Sequence, residues 1–195
     1  MAVKLGIHWF RQDLRLNNNP SIEALSKQVD KIIPIFIFDP KQRMGSVSKC
    51  WLEKSLESLS DAIAKRNGKL NIFVGNPFDV IRSLILENNI NSFHWNRLYD
   101  PYSIKRDKKI KSELILNDIN CETFNGFLLN EPWNIKNKSG TFFKVFTPYW
   151  RFCDEITKNK NFNKQIHKLN FLNTILNNSK KIKNLNLTNK KMNWI

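Results

Sequence analysis

The sequence is poor in glycine and cysteine and lacks long apolar runs, and each shortage excludes a class of protein. Only 6 of its 195 residues are glycine, and no loop has the glycines that let a backbone close on a pyrophosphate. The 3 cysteines stand far apart and in no metal-ligand spacing, so we expect no metal site and predict reduced thiols in a cytosolic protein. No apolar run is long enough to span a bilayer, so no membrane partner is expected.

Positive charge, by contrast, is plentiful. The chain has 32 Lys and Arg against 17 Asp and Glu, a net charge of +15, which by itself suggests a nucleic-acid partner. From Asp154 to Ile195, however, there are nine lysines against two acidic residues, so about half of the excess lies in the last fifth of the chain. The asparagine- and lysine-rich composition is also what an AT-rich genome produces. For the tail, composition favours a solvated linker over a DNA-binding arm and leaves both open.

Apolar segments alternate with amphipathic ones along most of the chain, which is the pattern of parallel βαβ units. We predict an α/β fold: a Rossmann-like, doubly wound, five-stranded parallel sheet of order 3-2-1-4-5 with helices on both faces. The predicted strands are 3–10, 32–38, 70–75, 92–96 and 121–124. The predicted helices are 20–28, 48–67, 77 to about 88, 103–117 and 148 to about 157, with a weak helix at 166–178.

Ligands of such sheets bind beyond the carboxyl ends of the strands, where the strand order reverses, here between strands one and four. The loops bordering that point are RQDLR (11–15), DPKQRMG (39–45) and RLYDPYSIKRD (97–107). Their charge and aromatic content suit a flat ligand with polar edges. The same residues could form an ion-pair network or cover the sheet, and physics alone leaves both interpretations open. Because no nucleophile, paired-carboxylate or metal constellation stands out, no catalytic residue is predicted.

Five stretches in order go further. HWFRQDLRLNNNP (8–20) resembles the N-terminal signature of the DNA photolyase and cryptochrome family. The other four are similar to later segments of the same family's first domain: IFIFDP followed by SKCWLEKSL (35–56), HWNRLYDPYSIKRDKKIK (94–111), FNGFLLNEPWNI (124–135) and GTFFKVFTPYW (140–150). The resemblance is greatest to bacterial class I cyclobutane-pyrimidine-dimer photolyases.

The resemblance implies a light-harvesting role. In that family the N-terminal α/β domain holds an antenna chromophore, which is methenyltetrahydrofolate, a deazaflavin or FMN. The antenna passes excitation to FAD in a helical C-terminal domain that also binds damaged DNA. We therefore expect residues 1–157 to form the antenna domain and residues 158–195 an interdomain linker. The FAD-binding domain would lie outside this sequence, on the same or a companion chain, so this chain alone should be inactive in repair.

The resemblance also implies a set of chromophore contacts. Phe38 and Tyr102 would stack on the ring, the arginines would meet carbonyl or phosphate oxygens, and the carboxylates would accept from N–H or hydroxyl groups. Ser103 stands where folate-binding members have a glutamate, which makes a deazaflavin or flavin as plausible as folate. The predicted contacts are Arg11, Phe38, Asp39, Asp100, Tyr102 and Arg106, with Lys49 as a further candidate.

The loop after the first strand is expected to divide its charges between two roles. Arg11 is assigned to the chromophore, so its replacement should lower occupancy without unfolding the chain. Asp13 and Arg15 are expected to be two structural supports that hold the first loop to the domain. Two other interpretations remain open at this point: a cryptochrome-type blue-light photoreceptor, and a stand-alone flavin- or nucleotide-binding module that docks to a partner.

Overall fold

The computed structural model describes residues 2–158 and 168–188, and its centre is one parallel sheet of five strands. The strand order is β3-β2-β1-β4-β5, so the predicted topology is confirmed. All four strand pairs are parallel, and the order reverses between β1 and β4. The strands are β1 (Leu5–Phe10), β2 (Lys31–Phe38), β3 (Asn71–Val74), β4 (Ser92–Asn96) and β5 (Asn120–Phe124).

Helices connect the strands, and short polar residues begin three of them. Asn19 and Asn76 cap α1 and α3, each followed by a proline at the first helical position. The fourth helix begins two residues earlier than predicted because Asp100 caps it and accepts a hydrogen bond from the Ser103 amide. The helices are α1 (Pro20–Ser26), α2 (Ser46–Ala64), α3 (Pro77–Glu87), α4 (Pro101–Leu116) and α5 (Phe146–Lys158), with 3₁₀ turns at Pro132–Asn134 and Ile182–Leu185.

The sheet is buried on both faces, which explains the near-continuous apolar strands. Trp9 and Trp95 point to the face covered by α3 and α4 and meet edge to face, with ring centroids 5.9 Å apart. Phe10 and Phe36 point to the opposite face, where α1 and α2 pack. Two separate apolar cores therefore fix the helix layers. Within the described ranges, no helix combines the length and hydrophobicity needed to cross a bilayer.

Two histidines lie side by side inside the sheet. His8 on β1 is in register with His94 on β4, and both are fully buried. Burial lowers the pKa of His8 to about 4 and also lowers the pKa of His94, so both rings are neutral at pH 7. The Ser21 hydroxyl lies 3.1 Å from Nδ1 of His8. Both histidines are therefore core residues of the sheet, as expected for histidines inside strands.

Residues 168–188 run along the sheet and pack closely on it. The Ile32 amide donates to the Asn170 carbonyl and the Leu172 amide donates to the Ile32 carbonyl, both at 2.8 Å. This segment thus continues the ladder beside β2 where β3 has not yet begun, and the Phe171 side chain is buried. The helix predicted at 166–178 is wrong for residues 168–178: residues 168–176 form no helix, and residues 177 and 178 form a turn. Positions 166 and 167 lie outside the described residues.

Glycine at position 68 makes room for this segment. A Cβ built on Gly68 would lie 2.3 Å from the Cβ of Phe171. We predict that Gly68→Ala lowers the free energy of unfolding by about 1–3 kcal/mol, because the chain must shift to relieve the overlap. We also expect tryptic cleavage at Lys180 and Lys181 to accelerate about tenfold, because the segment opens more often. Urea denaturation and timed proteolysis measure the two effects.

The matched control is Gly45→Ala, since a Cβ there meets nothing within 4 Å. That change can weaken the start of α2 but should leave cleavage at Lys180 unchanged. Equal cleavage rates in the Gly68 and Gly45 variants would contradict this account.

Candidate functional site

A buried carboxylate organises the loop that follows β1. Asp13 is 1% exposed, and its Oδ1 accepts from the Arg11 amide at 2.9 Å. Its Oδ2 accepts from the side-chain amides of Asn96 at 2.6 Å and Asn19 at 3.4 Å. Because Asn96 ends β4, Asp13 joins the two strands at the point where the order reverses. Protein side chains therefore occupy the gap in which the sequence predicted a crevice.

Arg15 supports the same loop from outside. Its Nη2 donates to the Gly126 carbonyl at 2.7 Å and its Nε donates to the Asn18 carbonyl at 3.3 Å. Asp13 and Arg15 were expected to support this loop by holding it to the domain. Both do so, Asp13 through β4 and Arg15 through the chain after β5.

A cavity of about 400 Å³ lies beside this anchored loop, over the ends of β1 and β2 and against α2. Its walls combine aromatic and charged side chains, as small-molecule sites do. The residues that characterise the lining are Trp9, Arg11, Phe38, Asp39, Trp51 and Arg106.

One wall is cationic. Asp107 accepts from Arg11 Nη1 at 2.5 Å through one oxygen and from Arg106 Nη2 at 2.8 Å through the other. Both guanidinium carbons also lie within about 5 Å of the Trp9 ring centroid. One carboxylate therefore serves two cations, and the wall keeps an excess positive charge.

Arg11 is the unusual member of this wall because it is nearly buried. Burial lowers the pKa of its guanidinium, and Asp107 opposes that shift. Nε and Nη2 of Arg11 are buried and have no hydrogen-bond partner among the described residues. Unsatisfied donors on a charged group are costly, so they mark a place where a ligand acceptor would be stabilising.

The opposite side of the cavity carries a carboxylate, Asp39, that is held in place by hydrogen bonds. Asp39 is buried and accepts from the Lys41 amide and from the Tyr102 hydroxyl, both at 2.9 Å. The bond to Asp39 raises the pKa of Tyr102, whose ring is half exposed. This contact ties the loop after β2 to the first turn of α4.

The structure brings most, but not all, of the predicted contacts together. The cavity is lined by Arg11, Phe38, Asp39 and Arg106, and Tyr102 reaches its edge through Asp39. Asp100 lies outside the lining and caps α4, its Oδ1 accepting from the Ser103 amide at 2.9 Å. Hydrogen bonds from Ser103 lower the pKa of Asp100 against the effect of its partial burial. Lys49 lies on α2 beside the lining residue Ser48 but is not part of the lining.

Sequence reasoning missed two tryptophans and a carboxylate. Trp51 lines the cavity from α2 and is 70% exposed. It stands outside the apolar stripe of α2 that includes Leu56 and Ile63, and an aromatic residue off the stripe is a signal that could have identified it. Trp9 was not predicted because it lies in a buried strand, and Asp107 was not predicted because it lies among the lysines of α4.

With this geometry in place, comparison with known proteins gives the family. The family model described as DNA photolyase matches residues 6–167. The chain belongs to the DNA photolyase family. Within it, the chain is 36% identical over 146 residues to the deoxyribodipyrimidine photo-lyase of Agrobacterium fabrum, covering 74% of this chain and 30% of that protein. It is 33% identical over 155 residues to cryptochrome-2 of Arabidopsis thaliana, covering 77% and 25%.

Solved photolyases have the same fold. A bacterial class III photolyase from Agrobacterium tumefaciens superposes with a TM-score of 0.86 at 30% identity, covering 100% of this chain and 40% of that one. An archaeal photolyase from Sulfolobus tokodaii, described with two FAD molecules and a novel light-harvesting cofactor, gives a TM-score of 0.75 at 26% identity, covering 93% and 40%. The chain thus spans well under half the length of these relatives. The class I subtype favoured by the sequence is not confirmed, since the first of these structures is class III.

The Asp13 contacts give a test of the loop's anchoring. We predict that Asp13→Ala lowers the free energy of unfolding by about 2–4 kcal/mol, because the Arg11 amide and the Asn96 side chain lose their acceptor in a buried place. Arg15→Ala, which removes exposed contacts to carbonyl groups, should cost less than about 1 kcal/mol. Urea denaturation of both variants measures the difference. A neutral Asp13 variant, or equal losses in the two, would contradict the assignment.

Proposed function

We propose that this chain is the light-harvesting domain of a photolyase and binds a planar antenna chromophore in the cavity between α2 and the loops after β1 and β2. The observation that carries the proposal is the cationic wall, in which Arg11 and Arg106 share the carboxylate of Asp107 and two donors of Arg11 have no partner among the described residues. An anionic or carbonyl-rich ligand edge would complete that wall.

The size and composition of the cavity agree with such a ligand. About 400 Å³ lies within the range of roughly 300–1,000 Å³ that small-molecule sites occupy. Phe38 and Trp51 offer flat surfaces for a fused ring, and Asp39 offers an acceptor for ring N–H or hydroxyl groups. Tyr102 closes the edge through its bond to Asp39.

The candidates for the chromophore are methenyltetrahydrofolate, a deazaflavin and FMN. Folate-binding relatives carry a glutamate at the position of Ser103, and a serine there contributes no carboxylate. Ser103 is also buried, and its amide donates to Asp100. The Sulfolobus tokodaii photolyase, described with two FAD molecules and the implication of a novel light-harvesting cofactor, supports a flavin as the antenna. Both observations favour a flavin-type ligand over folate.

Arg106 is the residue whose replacement best separates binding from stability, because Arg11 is more deeply buried and also stabilises the fold through Asp107. We predict that Arg106→Met weakens FMN binding about tenfold or more, the loss of one charge-assisted contact. Flavin fluorescence titration measures the affinity, with methenyltetrahydrofolate and the deazaflavin titrated in parallel. Binding of none of the three to the wild-type chain would reject the proposal.

The matched control is Arg82→Met, which removes an exposed guanidinium 3.4 Å from Glu113 on the outer surface of α3 and α4. Its affinity for FMN should equal that of the wild type. Equal weakening by both substitutions would show that binding depends only on overall positive charge.

Electron transfer to damaged DNA is proposed to occur elsewhere, in an FAD-binding helical domain on the same or a companion chain. A docking surface for that domain is offered by the outer side of α5, where Phe146 and Trp150 are exposed and stack at 6.4 Å. Relatives of this chain are more than twice its length, and the part that they have in addition is the partner proposed for this surface.

The reduced thiols at Cys50, Cys121 and Cys153 agree with a cytoplasmic location.

This division of labour predicts that the 195-residue chain has no repair activity of its own. A cyclobutane-dimer oligonucleotide, reduced FAD and blue light should yield no repaired product, because the site that brings FAD and DNA together is proposed to lie in the helical domain. The photo-lyase of Agrobacterium fabrum serves as the positive control in the same assay. Measurable turnover by this chain would reject the division.

A blue-light photoreceptor is the second candidate, favoured by the 33% identity to cryptochrome-2 of Arabidopsis thaliana. The repair assay on the chain together with its FAD-binding domain separates the two functions, since only a photolyase splits the cyclobutane dimer back into two pyrimidines.

A further inference from the structure

A second cavity, of about 220 Å³, lies between α4, the end of β5 and the 3₁₀ turn Pro132–Asn134. It shares only Leu98 with the first cavity. We propose that it is a separate binding site for a small planar aromatic anion. The residues that carry the proposal are Trp95, Tyr99, Ile104, Lys108, Lys111 and Trp133.

Aromatic rings form the floor and one wall. Tyr99 and Trp133 lie with ring centroids 5.8 Å apart at 38°, and Trp133 is 48% exposed. The Tyr99 hydroxyl donates to Oε1 of Glu131 at 2.8 Å and lies 3.1 Å from Oδ1 of Asn125, which fixes the ring. Trp95 is fully buried beneath them, and its indole Nε1 has no hydrogen-bond partner among residues 2–158 and 168–188. A flat ring is therefore the shape that this surface accommodates.

The charges around the cavity are unbalanced. Glu131 is engaged by Arg97 at 2.8 Å, and Asp107 by Arg11 and Arg106 on the other side of its carboxylate. Lys108 and Lys111 form no ion pair with any residue in the described part of the chain. Two ammonium groups at the rim of an aromatic pocket select a ligand that carries a carboxylate or phosphate.

The volume limits the ligand further. At about 220 Å³ the cavity is smaller than the roughly 300 Å³ at which sites for larger ligands begin, so it suits one or two fused rings rather than a complete flavin nucleotide. An aromatic side chain of another protein would use the rings but not the ammonium groups of Lys108 and Lys111. A small anion uses both features.

The test uses 2-naphthoate as probe and uncharged 2-naphthamide as its isosteric control, with the indole N–H signals of the ¹⁵N-labelled chain as readout. We expect saturable shifts of the Trp133 and Trp95 signals with naphthoate, and binding at least fivefold weaker with naphthamide. Replacement of each tryptophan by phenylalanine assigns the signals.

Variants locate the binding. Lys108→Gln and Lys111→Gln should each weaken naphthoate binding about two- to fivefold, as expected for exposed charge contacts. Lys105→Gln, on the same helix but outside the lining, should not change it. Ile104→Trp, which fills the mouth of the cavity, should abolish the shifts, while Arg106→Met in the first cavity should leave them unchanged.

Three results would overturn the proposal. These are no saturable shift of Trp133 and Trp95, equal binding of naphthoate and naphthamide, or loss of binding in the Arg106 variant. The last would place the probe in the first cavity. Because the readout concerns only the second cavity, failure here leaves the proposed chromophore site intact, and failure of FMN binding leaves this site intact.

Discussion

The hydrogen bonds of Asp13 are the constraint on which the site depends. A carboxylate buried at the point where the strand order reverses must be fully satisfied, and here the Arg11 amide, Asn19 and Asn96 satisfy it. This closes the gap between β1 and β4, in which ligands of open α/β sheets usually bind. The first cavity consequently lies to one side of this gap, toward β2 and α2.

The same anchoring determines the electrostatics of the cavity. Since Asp13 fixes the backbone at Arg11, the guanidinium is held over Trp9 and against Asp107 rather than in solvent. Asp107 is then shared with Arg106, so neither arginine has a carboxylate to itself. One carboxylate that is shared by two guanidinium groups does not neutralise both, so positive potential is left to attract an anionic ligand. Arg11 therefore has a structural role in addition to the binding role that we propose for it, whereas the sequence suggested a binding role alone.

The fold was predictable from the sequence because the rules that fix it are local. Apolar runs, caps at Asn19 and Asn76, and short connections permit few parallel topologies, and the observed order is one of them. Four predicted contacts line the cavity because strand ends and the residues just after them have known positions. Lys49 and Asp100 could not be placed, because the direction of a helical side chain depends on where its helix begins and how it rotates on the sheet.

Contacts between distant parts of the chain were beyond sequence reasoning. Phe171 packs against Gly68, and the side chain of Asn71 accepts from the Leu176 amide at 2.7 Å, so an asparagine-rich segment that suggested a solvated linker is bound to the sheet. Such asparagines replace backbone partners where the ladder is interrupted. Composition does not distinguish them from asparagines that reflect codon usage, since the difference lies in what each amide meets. A low-complexity segment that follows an α/β domain should thus be assessed by the unpaired strand positions that it can reach, and here β2 leaves such positions beside Ile32.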